Sequence, residues 1–281
     1  FVELSKLGIT RRVVITGFVG FIAAAQGAGV SWTWTALFGA LLGTALTCIG
    51  AGTLNQVLEV ECDAAMKRTA DRPIPSGRVG ASEAAAYGVV MTMLGTGVLA
   101  AWATPLAAAL AFATVVSYVW IYTPLKRVTP WALVVGAVPG AMPPVIGAAA
   151  ATGEIGLEAA LLFLIMFIWQ APHFLAIAYL HRDDYARAGF PMLPVLEPDG
   201  QSTFRQILLS SIALLPIGLL PTVAGLTGVV YAIAALSAGL LMLAAGLMLL
   251  RKRTRRAARM LFLTSLVYLP VVMIALPLDR T

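Results

Sequence analysis

Residues 206–250, QILLSSIALLPIGLLPTVAGLTGVVYAIAALSAGLLMLAAGLMLL, run for 45 residues without an Asp, Glu, Lys or Arg. At about 1.5 Å of rise per residue, one helix of that length would be roughly twice the ~30 Å hydrocarbon thickness of a bilayer, so the segment must double back. Pro221-Thr222 and Gly225 supply the turn. The same reading extends along the rest of the chain. Residues 13–58, 84–125, 128–153, 159–180 and 260–278 are equally free of charge, and the two longest split at Gly27-Ala28-Gly29 to Ser31 and at Thr104-Pro105. The expected fold is all-α, a single polytopic membrane domain over 1–281. Its nine transmembrane helices fall near 13–30, 34–58, 84–103, 106–125, 130–150, 159–180, 206–221, 226–250 and 260–278.

Composition and charge agree with this. The chain is 60% hydrophobic and 11% charged, where soluble domains carry about 25% charged residues. No polar segment between the windows is long enough to bury a core of its own. With nine spans, 18 of the 19 basic residues fall at the N-terminus or in the loops near 61–83, 124–130, 181–205 and 251–259, and only Arg280 lies opposite. The positive-inside rule then places the N-terminus in the cytoplasm and the C-terminus on the other side. The net charge of +6 follows from that topology, so the expected partner is the lipid bilayer and no nucleic acid. Cys48 and Cys62 have neither the number nor the spacing of a disulfide framework or a metal site. The chain starts at Phe1 without a cleavable signal pattern, and further residues are expected upstream.

Ionisable groups are rare in membrane helices, so those at the helix ends are candidates for function. Three clusters fall on the basic side. The first is Asn55, Glu59 and Asp63, four residues apart at the end of the second span and followed by Lys67, Arg68 and Arg72. On a helix that spacing puts three oxygen donors on one face, suited to a hard cation such as Mg2+. Gln56 stands beside this face. The second cluster is Tyr122-Thr123-Pro124-Leu125-Lys126-Arg127 and the third is His181-Arg182-Asp183-Asp184-Tyr185. Acids on two helices with cations between them form the layout of a divalent-metal diphosphate site at the cytoplasmic side of the bundle. The run from Arg251 to Arg259 reads as a topological anchor. His173 is a lone histidine in an apolar span and therefore a candidate.

At these residues the chain resembles a known family. Asn55 to Arg78, with Asp63, Met66, Arg68, Thr69, Arg72, Pro73, Gly77 and Arg78, resembles the first signature of the UbiA-type intramembrane prenyltransferases. Ile168-Trp169-Gln170-Ala171-Pro172-His173-Phe174 and the stretch from Asp183-Asp184-Tyr185 to Pro191-Met192-Leu193-Pro194-Val195 are similar to the protohaem IX farnesyltransferase branch. The resemblance implies transfer of a farnesyl group from farnesyl diphosphate to a vinyl group of haem b, giving haem O, in a bacterial inner membrane. It implies metal ligation by Asn55, Glu59 and Asp63 on one helix and by Asp183 and Asp184 on another. Gln56 and Glu59 stand where the wider superfamily commonly has Asp, and the second motif carries fewer acids.

In the expected mechanism, Mg2+ on these ligands, with Arg68, Arg72, Lys126 and Arg127, stabilises the departing diphosphate. Tyr122 stands near the allylic cation, and His173 with Trp169 binds the haem, ligating its iron as imidazole can or orienting the porphyrin, with proton relay as the alternative role of His173. A quinone precursor or chlorophyllide is the alternative acceptor, and a secondary transporter the alternative class. Against the transporter, these acids sit at helix ends beside phosphate-suited cations, whereas transporter sites lie near the midplane. The sequence names no haem A synthase or oxidase-assembly partner.

Overall fold

The computed structural model describes residues 1–281. Nine helices are long and apolar enough to cross a membrane: α1 Leu7–Ala28, α2 Trp34–Leu58, α3 Ala81–Trp102, α4 Pro105–Leu125, α5 Ala132–Thr152, α6 Leu157–Leu180, α7 Gln201–Val223, α8 Val229–Lys252 and α9 Arg255–Leu278. The chain is an integral membrane protein, with one isolated bridge, Thr227 to Arg280, as its only β pairing. Several helices begin ahead of the charge-free windows. Arg11 and Arg12 lie inside α1, Arg205 inside α7, and Arg255, Arg256 and Arg259 inside α9. Long basic side chains lay their stems along apolar surface and reach water from the first turns of a helix, so the absence of charge understates helix length.

In lipid no hydrophobic force pulls one apolar helix against another, and close backbone approach has to supply the contact. Glycine provides it between α2 and α3. A Cβ added at Gly43 would stand 2.8 Å from the Gly95 carbonyl oxygen, and one at Gly95 would stand 2.7 Å from that of Gly43. Two main apolar cores result, with three smaller clusters beside them. One joins Phe21, Leu37, Leu99, Ala107 and Ile146 of α1 to α5; the larger is built on Leu162, Ile165, Tyr231, Met242, Leu261 and Val272 of α6, α8 and α9.

Arg280, the one basic residue at the far end of the bundle, is largely but not fully buried. Its guanidinium pairs with Glu158 Oε1 at 2.9 Å and donates to the Ala23 carbonyl at 2.9 Å. Beside it Tyr231 N donates to Asp279 Oδ2 at 2.7 Å. The C-terminus thereby ties α1, α6, α8 and α9 together.

Two local distortions shape the opposite end. In α4, Ser117–Tyr122 is a π-helical turn. Pro124 has no N–H and crowds the carbonyl four residues earlier, and a widened turn relieves that conflict. In α2 the helix ends at Leu58, and Glu59 leaves helical geometry before the short helix Val60–Ala65. The expected single helical face is therefore broken at its middle rung. The spacing survives, because Glu59 N donates to the Asn55 carbonyl at 3.0 Å and Asp63 N to the Glu59 carbonyl at 2.7 Å.

Candidate functional site

The acid ladder is buried. Asp63 is fully enclosed and Glu59 is 2% exposed. Isolated carboxylates are costly to bury, so each should have a cation, and each does. Arg72 Nη1 donates to Asp63 Oδ2 at 2.6 Å. Lys126 Nζ stands 2.7 Å from Glu59 Oε1, close enough for an ion pair but off the line of a hydrogen bond. Asp63 Oδ1 is buried and has no partner. Asn55 Nδ2 donates to Thr123 Oγ1 at 3.0 Å, which in turn donates to the Tyr118 carbonyl at 2.8 Å. The π-helical turn of α4 thus aims both Thr123 at Asn55 and Lys126 at Glu59. Burial alone would lower the Lys126 ammonium, but Tyr122 and the Glu59 carboxylate outweigh it and hold Lys126 above the ordinary lysine value.

Arg127, next in the chain, is placed differently. It is exposed, and its guanidinium donates to the carbonyl of Leu58, the last residue of α2. That is a helix C-cap contact. Gln56 also turns from the ladder: its Nε2 donates to the Leu4 carbonyl at 3.0 Å and pins the N-terminal segment against α2.

That segment delivers a cation missed by the sequence reading. Lys6 adopts a left-handed backbone (φ 43°, ψ 50°) immediately before α1. Glu3 pairs with Arg78 at 2.7 Å and Ser5 meets the Tyr87 hydroxyl at 2.9 Å, so the segment is held in place. Lys6 then lines a polar cavity of about 350 Å³ with Gln56, Arg68, Asp71 and Arg72. Burial, and then the charge of Arg72, bring its ammonium down to about 8 against the pull of Asp63 and Glu59. In sequence Lys6 is indistinguishable from an ordinary juxtamembrane anchor; only the tethered segment reveals it.

A second, mostly apolar cavity is lined by Tyr122, Lys126, Phe174, Ala178, Tyr185 and Leu193. Arg68 joins the two cavities. It lines the polar one and donates from Nη2 to the Tyr185 hydroxyl at 3.2 Å, with its guanidinium 5.2 Å from that ring's centroid. Asp184, in the short helix Arg182–Arg187, is paired with Arg187 and lies 3.8 Å from His181. Asp183 points out to Arg255 at 2.8 Å and is 62% exposed. No three acidic, histidine or cysteine side chains converge in a ready-made metal cluster.

His173 and Trp169 line neither cavity, although the adjacent Phe174 does. Their rings stack 4.7 Å apart at 22°. Trp169 Nε1 donates to the Ser265 carbonyl at 2.8 Å, and His173 Nδ1 lies 2.7 Å from Ser265 Oγ.

Whether these residues suit a hard divalent cation can be judged from their donors. Asn55, Glu59, Asp63 and Asp184 offer only oxygen for the purpose, the preferred ligand of Mg2+. The unpartnered buried Asp63 Oδ1 is an acceptor that a bound cation would satisfy. The fit is good at Asp63 and Glu59, and weakest at Asp183.

Comparison with known proteins identifies the family and the fold. The sequence profile of the UbiA prenyltransferase family matches residues 13–267. The protoheme IX farnesyltransferase of Solibacter usitatus is 42% identical, over 100% of this chain and 98% of its own length. That of Koribacter versatilis is 43% identical, over 99% and 92%. Among solved structures, a digeranylgeranylglyceryl phosphate synthase shares the fold with a TM-score of 0.79 at 16% identity, covering 99% of this chain and 96% of its own. A UbiA homolog from Archaeoglobus fulgidus, bound to GPP and Mg2+, gives a TM-score of 0.64 at 14% identity, covering 97% and 99%. Those two likenesses establish the fold, and the matched profile with the full-length relatives establishes the kinship: the chain belongs to the UbiA prenyltransferase family, in the group of the protohaem IX farnesyltransferases.

Proposed function

We propose that this chain transfers the farnesyl group of farnesyl diphosphate to a vinyl group of haem b, with addition of water, giving haem O and diphosphate. One observation carries the reading: two buried carboxylates, each bound to a cation, stand beside a cation-lined polar cavity that adjoins an apolar one. The full-length protohaem IX farnesyltransferase relatives support the choice of acceptor.

The polar cavity takes the diphosphate. Arg68 and Arg72 match its oxygens with planar, permanently charged forks, and Lys6 adds a point charge. As the allylic C–O bond breaks, the electron pair leaves with the diphosphate, and cations already fixed in place stabilise that charge without reorganising. Lys126, in the wall of the apolar cavity and paired with Glu59, contributes from the other side. Asn55, Glu59, Asp63 and Asp184 would hold Mg2+, which when bound neutralises diphosphate oxygens as a Lewis acid.

The allylic end of the farnesyl chain enters the small apolar cavity, where Tyr122 and Tyr185 present aromatic rings to the allylic cation and the apolar walls limit access of water. The haem vinyl group forms the new carbon–carbon bond. Water adds to the cation left next to the porphyrin and releases a proton, leaving the hydroxyl group. His173, supported by Trp169, holds the haem. Arg127 acts through the end of α2, and Asp183 through its pair with Arg255.

The end of the bundle that holds these cavities is proposed to face the cytoplasm of a bacterial inner membrane, with the C-terminus opposite, because it collects nearly all the basic residues. Chelation tests the metal requirement: EDTA should abolish farnesyl transfer and excess Mg2+ should restore it. Full activity in EDTA would refute metal assistance.

A further inference from the structure

Ser265 holds two α6 rings from α9. Its carbonyl accepts from Trp169 Nε1 at 2.8 Å, and its hydroxyl lies 2.7 Å from His173 Nδ1. That hydroxyl also donates to the Phe262 carbonyl at 2.6 Å. A serine hydroxyl has one proton. With it committed to Phe262, Ser265 Oγ can only accept from the histidine, so His173 Nδ1 must carry the hydrogen. Neutral imidazole carries one N–H, and the lone pair is left on Nε2. Nε2 takes no hydrogen bond from the protein, and the ring is fixed on three sides: by Trp169 at 4.7 Å, by Phe262 at 5.2 Å and by Phe174 at 5.3 Å. Phe174 in turn lines the apolar cavity.

We propose that Ser265 is a positioning residue that fixes His173 as the Nδ1–H tautomer, so that Nε2 meets the porphyrin acceptor with its lone pair free to bind iron. This rests on the haem-acceptor reading above. The arrangement is that of a ligating histidine whose other ring nitrogen is held by an outer partner, which sets both tautomer and ring orientation. A serine whose proton is tied to a backbone carbonyl suits that task, because it cannot turn to donate to Nδ1 without abandoning Phe262.

The chain has two histidines, His173 and His181, so 15N-histidine labelling of the full protein in detergent gives two ring systems, and His181→Gln tells them apart. His173 should show a protonated Nδ1 and a bare Nε2; a protonated Nε2 in the wild type overturns the proposal. Binding is followed by haem b absorbance. Ser265→Ala should weaken haem affinity by about 10- to 100-fold, as loss of an outer partner to a metal ligand does, and alter the ligated spectrum. It should leave the KM for farnesyl diphosphate unchanged, and Ser265→Thr should restore binding. If His173→Ala loses haem binding while Ser265→Ala keeps wild-type affinity and spectrum, Ser265 has no positioning role. If His173→Ala itself binds haem normally, the acceptor role of His173 and this proposal fall together. Should Ser265→Ala not fold, the wild-type tautomer decides alone.

Discussion

Arg72 holds one oxygen of Asp63 at 2.6 Å and leaves the other buried without a partner. A carboxylate in that state is anchored but not spent: the arginine fixes its orientation, and the free oxygen remains a ligand for a cation or a bound substrate's metal. Glu59 stands one helical turn earlier, with Lys126 close by. Both acids are thus pre-oriented by cations that themselves face the cavities.

Asp63→Asn keeps the size of the side chain and removes the charge that both Arg72 and a metal require. Farnesyl transfer should fall on the order of 10³-fold, the scale of losing a fixed electrostatic contact in the transition state, while the protein inserts with unchanged topology. Turnover assays with reporter-fusion mapping check this. Activity within a few-fold of wild type would remove Asp63 from the site.

Lys126 and Arg127 are neighbours with unequal roles. Lys126→Ala should lower kcat by about 10²-fold or more, because Glu59 is left buried and unpaired. Arg127→Ala should act through the end of α2, lowering Tm in detergent while kcat stays within about tenfold, the scale of one surface hydrogen bond. Equal kinetic losses in the two variants would contradict the difference in placement.

Lys6 makes stability depend on pH in a direction that can be worked out. Its ammonium titrates near 8 in the folded protein and near ~10.4 when unfolded, so the unfolded chain holds the proton more tightly. The charged form therefore costs stability in full below pH 8, and the cost is relieved as pH rises from 8 towards ~10.4. Lys6→Met should be the more stable protein at pH 7 and lose that advantage across this window. It should also raise the KM for farnesyl diphosphate at pH 7. Parallel melting curves and an unchanged KM would sink the assignment.

At the far end, Glu158→Gln leaves Arg280, only 17% exposed, without its counter-charge. Breaking a largely buried ion pair from one side costs up to about 3 kcal/mol, less where solvent reaches the charge left behind. A lower Tm in detergent with KM values unchanged is expected; a shift in either KM would mean that this end communicates with the site.

The nine spans were legible because charge is expensive in lipid, and its absence from long windows leaves few alternatives. The four-residue spacing of Asn55, Glu59 and Asp63 was legible, and the hydrogen bonds through Glu59 preserve it even though the helix breaks there. What spacing could not show is direction. The π-helical turn before Thr123 decides that Lys126, and not Arg127, meets the acids. Lys6 was hidden because its place depends on a left-handed residue and a tethered segment. Ser265 was hidden because a serine in an apolar span has no pattern to mark it.

The most direct measurement is the mass of the haem recovered after the purified protein is incubated with haem b, farnesyl diphosphate and Mg2+. The account predicts a product heavier than haem b by one farnesyl group and one hydroxyl, formed only when all three are present. Unchanged haem, with prenylation of a benzoate or naphthoate acceptor instead, would contradict it.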